Sequence, residues 1–142
     1  MLVTVVIAVL LTAAVPRLQQ TAQRMRAEQA AFEMAQLLRA AHEQAVVCGY
    51  ETVWVWEGES RRARIESASG SSDGTAGVIN SAPLPAGLTL SLSRDGAPVE
   101  CQCVRFFPEG TSESSTLTVT LHEEAFTATV DEATGQVRVN RL

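Results

Sequence analysis

Three cysteines, two histidines and the Glu123-Glu124 pair are the residues best equipped for chemistry in this 142-residue chain. Cys48, Cys101 and Cys103 are odd in number, so at least one thiol stays free or pairs with another molecule. Cys101 and Cys103 are two apart; on a strand both point to one face, with Cα atoms too far apart for an easy bridge. Either could instead meet Cys48, and a disulfide of Cys48 with Cys101 or Cys103 fits an oxidising compartment. The plainer alternative treats all three as small buried hydrophobes. A zinc site using His42 lacks both a second ligand pair and the usual spacing. Glu123 and Glu124 are adjacent at a strand end, where neighbouring side chains point to opposite faces and are poorly placed to share a proton. His42, in AAHEQA, sits on the polar flank of a helix, a solvated position, and His122 has no partner motif. No G-x-S-x-G, H-E-x-x-H, C-x-x-C or P-loop pattern occurs in the sequence. Neither enzymatic activity nor a cofactor or metal is expected.

Charge narrows the choice of partners. The net charge is −5, and every basic residue is Arg. Before residue 27 the only charged side chains are Arg17, Arg24 and Arg26; from Ala27 onward 8 Arg face 16 Asp and Glu. An acidic body repels polyanions, which argues against nucleic acid as a ligand. Arg138 and Arg141, in GQVRVNRL, are three apart and point to opposite sides of a strand, so they make at most a weak anion or partner contact.

The elements that would position these residues are read from periodicity. Met1 to Val15 carry no charge, and Pro16-Arg17 ends the run. A bilayer core of about 30 Å needs roughly 20 apolar residues, so the run alone is short for a span. The segment between Pro16 and Gly49 holds no Gly or Pro and is rich in Ala, Gln, Glu, Arg and Leu, which favours helix. Leu18, Met25 and Phe32 recur every seven residues, and Ala35, Leu38, Ala41 and Ala45 continue what reads as one apolar face. Gly49 supplies the stop. One long helix is therefore expected, apolar in its first half and amphipathic in its second, with Pro16 inside it producing a kink.

Beyond Gly49 the period changes to two. ETVWVWEG, RRARIESA, LTLSLS, CVRFF, STLTVTL, AFTATV and QVRVN read as short strands, with Leu88, Leu90 and Leu92 facing inward. Ser69 to Gly77 reads as a flexible Gly/Ser loop, SAPLPAG as a Pro-marked turn, and Glu123-Glu124 and Glu132 to Gly135 as hairpin connections. RFFPEGTSESSTLTV reads physically as a hairpin connection, with Pro108 fixing the turn and Gly110 free to take positive φ. The fold class is α+β, one long N-terminal helix on an antiparallel meander of about seven strands.

This combination resembles the H-type (GspH/FimT-like) minor pseudopilins of type II secretion, within the type IV pilin superfamily. The resemblance rests on VVIAVLLTAAVPRL, the helix to Gly49, the F-x-P-x-G turn and T-L-T-V strand of FFPEGTSESSTLTV, and the closing GQVRVN. It implies a pilin-like fold, with residues 1–26 as a membrane and assembly helix and residues 27–142 as a periplasmic domain. Within that domain, 27–49 form the amphipathic half of the helix and 50–142 the β-domain. Val3, Val6, Ile7, Leu10, Leu11 and Pro16 would carry the membrane and assembly role. Aligning Pro16 with the family's proline implies about six further mature residues upstream, giving about 21 apolar-rich residues and about 32 Å, a full span. The family's cleaved basic leader and membrane-embedded Glu would lie there, and no residue of this chain takes that Glu's role. Arg17, Arg24 and Arg26 alone would place the C-terminal side in the cytoplasm. The resemblance implies the reverse: a single pass through the bacterial inner membrane, with the C-terminal domain in the periplasm.

The implied function is structural, at or near the tip of the type II secretion pseudopilus, assisting export of folded proteins across the outer membrane. The implied partners are other minor and major pseudopilins, the inner membrane and secreted cargo. The alternative is a FimT-like minor pilin of type IV pili, concerned with pilus assembly or DNA uptake. Gln136, where such proteins often carry Arg, weighs against DNA capture.

Overall fold

The first element, α1 (Leu2–Cys48), runs unbroken through Pro16 and spans 47 residues, about 70 Å at about 1.5 Å per residue. The computed structural model describes residues 2–68 and 77–142, with side chains described from Thr21 onward except Ile79. Val3, Val6, Ile7, Leu10, Leu11 and Pro16 thus lie outside the described side chains, as residues 69–76 of the expected flexible loop lie outside the described residues. Among the described residues no helix is long and apolar enough to cross a membrane.

The helix ends as its sequence dictates. Gly49 adopts φ 71°, and its N–H donates to the Ala45 carbonyl at 3.0 Å. This left-handed cap is open to Gly at no steric cost. Thr21 to Arg26 are all exposed, and the first buried side chain is Ala27. From there Ala27, Ala31, Met34, Ala35, Leu38, Ala41 and Ala45 form the buried face, following the three-and-four spacing of an amphipathic helix. Five of these seven are Ala, whose small side chains let the helix backbone approach the sheets closely.

The expected seven-residue stripe is corrected here. Met25 and Phe32 do not belong to the buried face but are 65% and 48% exposed. Positions seven apart drift only about 20° around a helix, so Met25 and Phe32 share one outward ridge, whose continuation at Arg39 and Val46 borders β9 and the Gly110 turn.

Among the described residues nine strands follow, against the about seven expected, and they form two sheets rather than one meander. The first sheet contains β1 (Thr52–Glu57), β2 (Arg62–Ser67), β3 (Val78–Pro83) and β6 (Cys103–Phe106), in the order β3-β2-β1-β6. The second contains β4 (Leu88–Arg94), β5 (Ala97–Pro98), β7 (Ser115–Leu121), β8 (Glu124–Val130) and β9 (Val137–Arg141), in the order β5-β4-β7-β8-β9. Every pairing is antiparallel. The two additional strands are β3, part of which reads as a Pro-marked turn, and the two-residue β5.

Alternation sets the core. Thr52 and Trp54 on β1, Ala63 and Ile65 on β2, and Val104 and Phe106 on β6 point toward α1. Leu90 and Leu92 on β4, Leu117, Val119 and Leu121 on β7, and Phe126, Ala128 and Val130 on β8 do the same from the second sheet. All but Thr52 join one continuous cluster with the helix face, and Leu88 packs at its margin. The helix contacts β1, β2 and β6 of one sheet and β7, β8 and β9 of the other. It is the strut across which the two sheets share a core.

Candidate functional site

The F-x-P-x-G stretch is more than a hairpin connection: it carries the chain from the first sheet to the second and fastens the helix on the way. Phe106 ends β6 fully buried. The turn after it closes through the Gly110 N–H, which donates to the Phe107 carbonyl at 3.0 Å, with Gly110 at φ 90°. The returning chain stays against the β6 edge: Phe107 N–H donates to Thr111 O at 2.9 Å and Glu113 N–H to Arg105 O at 3.0 Å. Arg94 of β4 then meets Glu113 at 2.6 Å, an ion pair between the second sheet and this crossover.

His42 is not the solvated histidine its sequence position suggests. It is half-buried, its Nε2 lies 3.1 Å from the Gly110 carbonyl, and its ring meets Phe106 edge-on at 6.0 Å between centroids. A carbonyl only accepts, so Nε2 carries the proton in this contact. The opposite wall is Gly135, buried and at φ 62°. A Cβ there would overlap the His42 ring, closer than real Cβ atoms approach.

Three further bonds complete the clasp. Buried Ser112 donates its N–H to Glu132 O and its hydroxyl to Asp131 O, both at 3.0 Å. Arg39, one helical turn before His42, donates to the Val137 carbonyl at 3.0 Å. The ladder bonds flanking β9, Leu142 N–H to Ala125 O and Asp131 N–H to Gln136 O, fix the alternation of this edge strand. They leave the Val137 carbonyl facing away from β8, so Arg39 satisfies an outward edge group. The helix, the crossover and the β8–β9 turn are therefore locked together at one place.

The β8–β9 turn is braced internally. The Asp131 carboxylate accepts from the Thr134 hydroxyl at 2.8 Å and from the Thr134 N–H at 3.0 Å. Those bonds to Thr134 hold the Asp131 carboxyl below its usual range.

The other residues singled out from sequence are dispersed. Arg138 is exposed, and Arg141 pairs with Glu124 at 2.9 Å across the β8–β9 edge; they do not form a cradle. Glu123 and His122 make the two-residue β7–β8 turn, with His122 at φ 57°, and Glu123 is exposed. Among the described residues no group of three or more His, Cys, Asp or Glu could hold a metal ion. Cys48, Cys101 and Cys103 are all free thiols. Cys48 is exposed at the helix end, where Gln44 Nε2 donates to its sulfur at 3.4 Å.

Cys101 and Cys103 depart from the strand geometry expected of them. Only Cys103 belongs to β6. The Cys103 N–H donates to the Cys101 carbonyl at 2.8 Å, a three-residue turn rather than an extended pair. Burial, together with the hydrogen-bonded Cys101 thiol and nearby Glu113, pushes the Cys103 thiol up to about 11, partly offset by Arg105.

The arrangement holds a long helix against a β-body, and solved structures share this fold. The minor pseudopilin EpsH of the type II secretion system of Vibrio cholerae superposes with a TM-score of 0.66 at 18% identity, covering 82% of this chain and 94% of EpsH. The type IV minor pilin FimU of Pseudomonas aeruginosa PAO1 superposes with a TM-score of 0.65 at 16% identity, covering 82% of this chain and 90% of FimU. No curated protein matches the sequence. The fold is thus that of the pilins and pseudopilins, with a single helix packed on antiparallel sheets. Within that class, residues 30–142 match the family described as type II transport protein GspH, and the chain belongs to the GspH family. It is a pilin-like structural subunit.

Proposed function

We propose that this chain is a minor pseudopilin at or near the tip of the type II secretion pseudopilus, assisting the export of folded proteins across the outer membrane. Membership of the GspH family supports the reading. The observation that carries it is the outward ridge of Met25, Phe32 and Val46, 65%, 48% and 46% exposed. The fold buries a different face of the same helix and leaves Met25 and Phe32 open to other subunits. Apolar side chains in a row on a surface helix mark an interaction face.

In this reading residues 1–26 are the membrane and assembly segment, where Val3, Val6, Ile7, Leu10 and Leu11 pack against neighbouring helices, and residues 27–142 stand in the periplasm. Other minor and major pseudopilins contact the helix, and the β-domain meets them or cargo. No step of catalysis and no cofactor enters.

The test replaces Met25 and Phe32 together by Glu, in the gene expressed from its own locus. Both side chains are exposed, so the folded domain should melt within a few degrees of wild type while secretion of type II cargo falls at least tenfold. Unchanged secretion would remove the ridge as an assembly face.

FimT-like minor pilin function in type IV pili is the second reading, since FimU shares the fold. It predicts loss of pilus assembly or DNA uptake, with secretion intact, when the gene is deleted. The acidic body and Gln136 argue against its DNA-capturing form. A gel shift of the soluble domain at low salt should show no binding.

A further inference from the structure

We propose that Cys101 and Cys103 form a disulfide with each other, leaving Cys48 as the one remaining thiol. The inference is independent of the assembly role. In an extended strand, residues two apart are separated by about 6.7 Å, at the outer limit of the roughly 4.4–6.8 Å that a disulfide spans. This segment is not extended. The 2.8 Å bond from Cys103 N–H to Cys101 O folds the backbone back on itself, shortening that separation, and the two thiols are already hydrogen-bonded to each other. Cys101 is exposed and lies just before β6, while Cys103 is half-buried as its first residue. One sulfur is thus open to an incoming reagent and the other is placed behind it. Cys48, by contrast, is engaged by Gln44 of its own helix.

The oxidant is a disulfide, either a small-molecule disulfide such as oxidised glutathione or a dithiol–disulfide oxidoreductase. The Cys101 thiol loses its proton to solvent, and its thiolate attacks one sulfur of the donor, displacing the first thiolate and leaving a mixed disulfide. Cys103 then gives up its proton and attacks Cys101 Sγ, expelling the second donor thiolate. Two cysteine thiols lose two electrons and two protons, and the donor disulfide becomes two thiols. Burial raises the Cys103 thiol further above neutral pH, so ring closure accelerates with rising pH. A ring this small removes little loop-closure entropy. The bond therefore adds little stability and stays exchangeable, a reversible site rather than a staple.

The test incubates the reduced full chain with oxidised glutathione, alkylates with N-ethylmaleimide and measures intact mass and tryptic peptides. Cleavage after Arg94 and Arg105 leaves both cysteines in one peptide, which should be lighter by about 2 Da and unalkylated, with Cys48 alone carrying either the label or one glutathione. Cys48→Ser should leave that loss intact. Cys103→Ser should instead trap glutathione on Cys101. A peptide cross-linked to Cys48, or alkylation of all three thiols, would overturn the proposal.

Discussion

Gly135 has two independent reasons to be glycine, and they can be separated by mutation. Its φ of 62° disfavours any side chain, and a Cβ would overlap the His42 ring. Gly135→Ala should cost about 2–4 kcal/mol in a denaturant melt, combining backbone strain with overpacking. His42→Ala removes the ring, so Gly135→Ala in that background should cost only the backbone part, about 1–2 kcal/mol. Strict additivity of the two would mean that the ring and the glycine do not meet. The neighbouring Asp131 supplies a pH test. Its carboxyl is held below the ordinary value of 3.8 by the bonds to Thr134, so its stabilising contribution is present above that pH and lost as pH falls through the lower folded value. The melting-temperature gap between wild type and Asp131→Ala should be constant above pH 4 and close on acidification below it. A gap independent of pH would refute the brace.

Among the elements, β1 shows how far alternation carries. TVWVWE carries apolar residues on both faces. The structure buries Thr52 and Trp54 toward the helix and leaves Val53 and Val55 half-exposed. Trp54 is fully buried with no partner for its indole N–H. Trp54→Phe should therefore be far milder than Trp54→Ala, since it deletes an unsatisfied donor along with some volume, whereas Ala should cost about 3–5 kcal/mol. Equal losses would show that the N–H has a partner in solution. The helix stop at Gly49, the inward Leu90 and Leu92, and the turn at 132–135 were legible, because each rests on local spacing or turn chemistry, whereas the β7–β8 turn, expected at Glu123-Glu124, lies one residue earlier at His122-Glu123. The two-sheet split was not legible. Strand pairing joins β1 to β6 across some fifty residues, and alternation says which face is apolar without saying which strand lies alongside. The seven-residue ridge misled for a related reason. Met25 and Phe32 share the spacing of a buried row, but the row that packs is the Ala-rich one. The clasp at His42 left one trace, a glycine in the EATGQ turn, with nothing local to pair it with a histidine some ninety residues earlier.

At the scale of the whole molecule, every described buried side chain lies at or beyond Ala27, and Thr21 to Arg26 are all exposed. The described hydrophobic core therefore owes nothing to Thr21 to Arg26. A chain starting at Arg26 should be a soluble monomer that unfolds in one cooperative transition, checked by sedimentation and by coincident circular dichroism and fluorescence melts. A fragment that is unfolded or aggregated would show that the modular division at residue 26 is wrong. The GspH match, beginning at residue 30, falls close to the same boundary.

The clasp also has a mechanical side. A helix lying across both sheets, pulled along its own axis, is loaded in shear, so its alanine-lined contacts and the His42 and Arg39 bonds resist together instead of parting one after another. A force applied at right angles would peel the same interface from one end. The domain is thus stiff toward thrust along the helix and weak toward prying, an anisotropy set by the way one helix crosses both sheets.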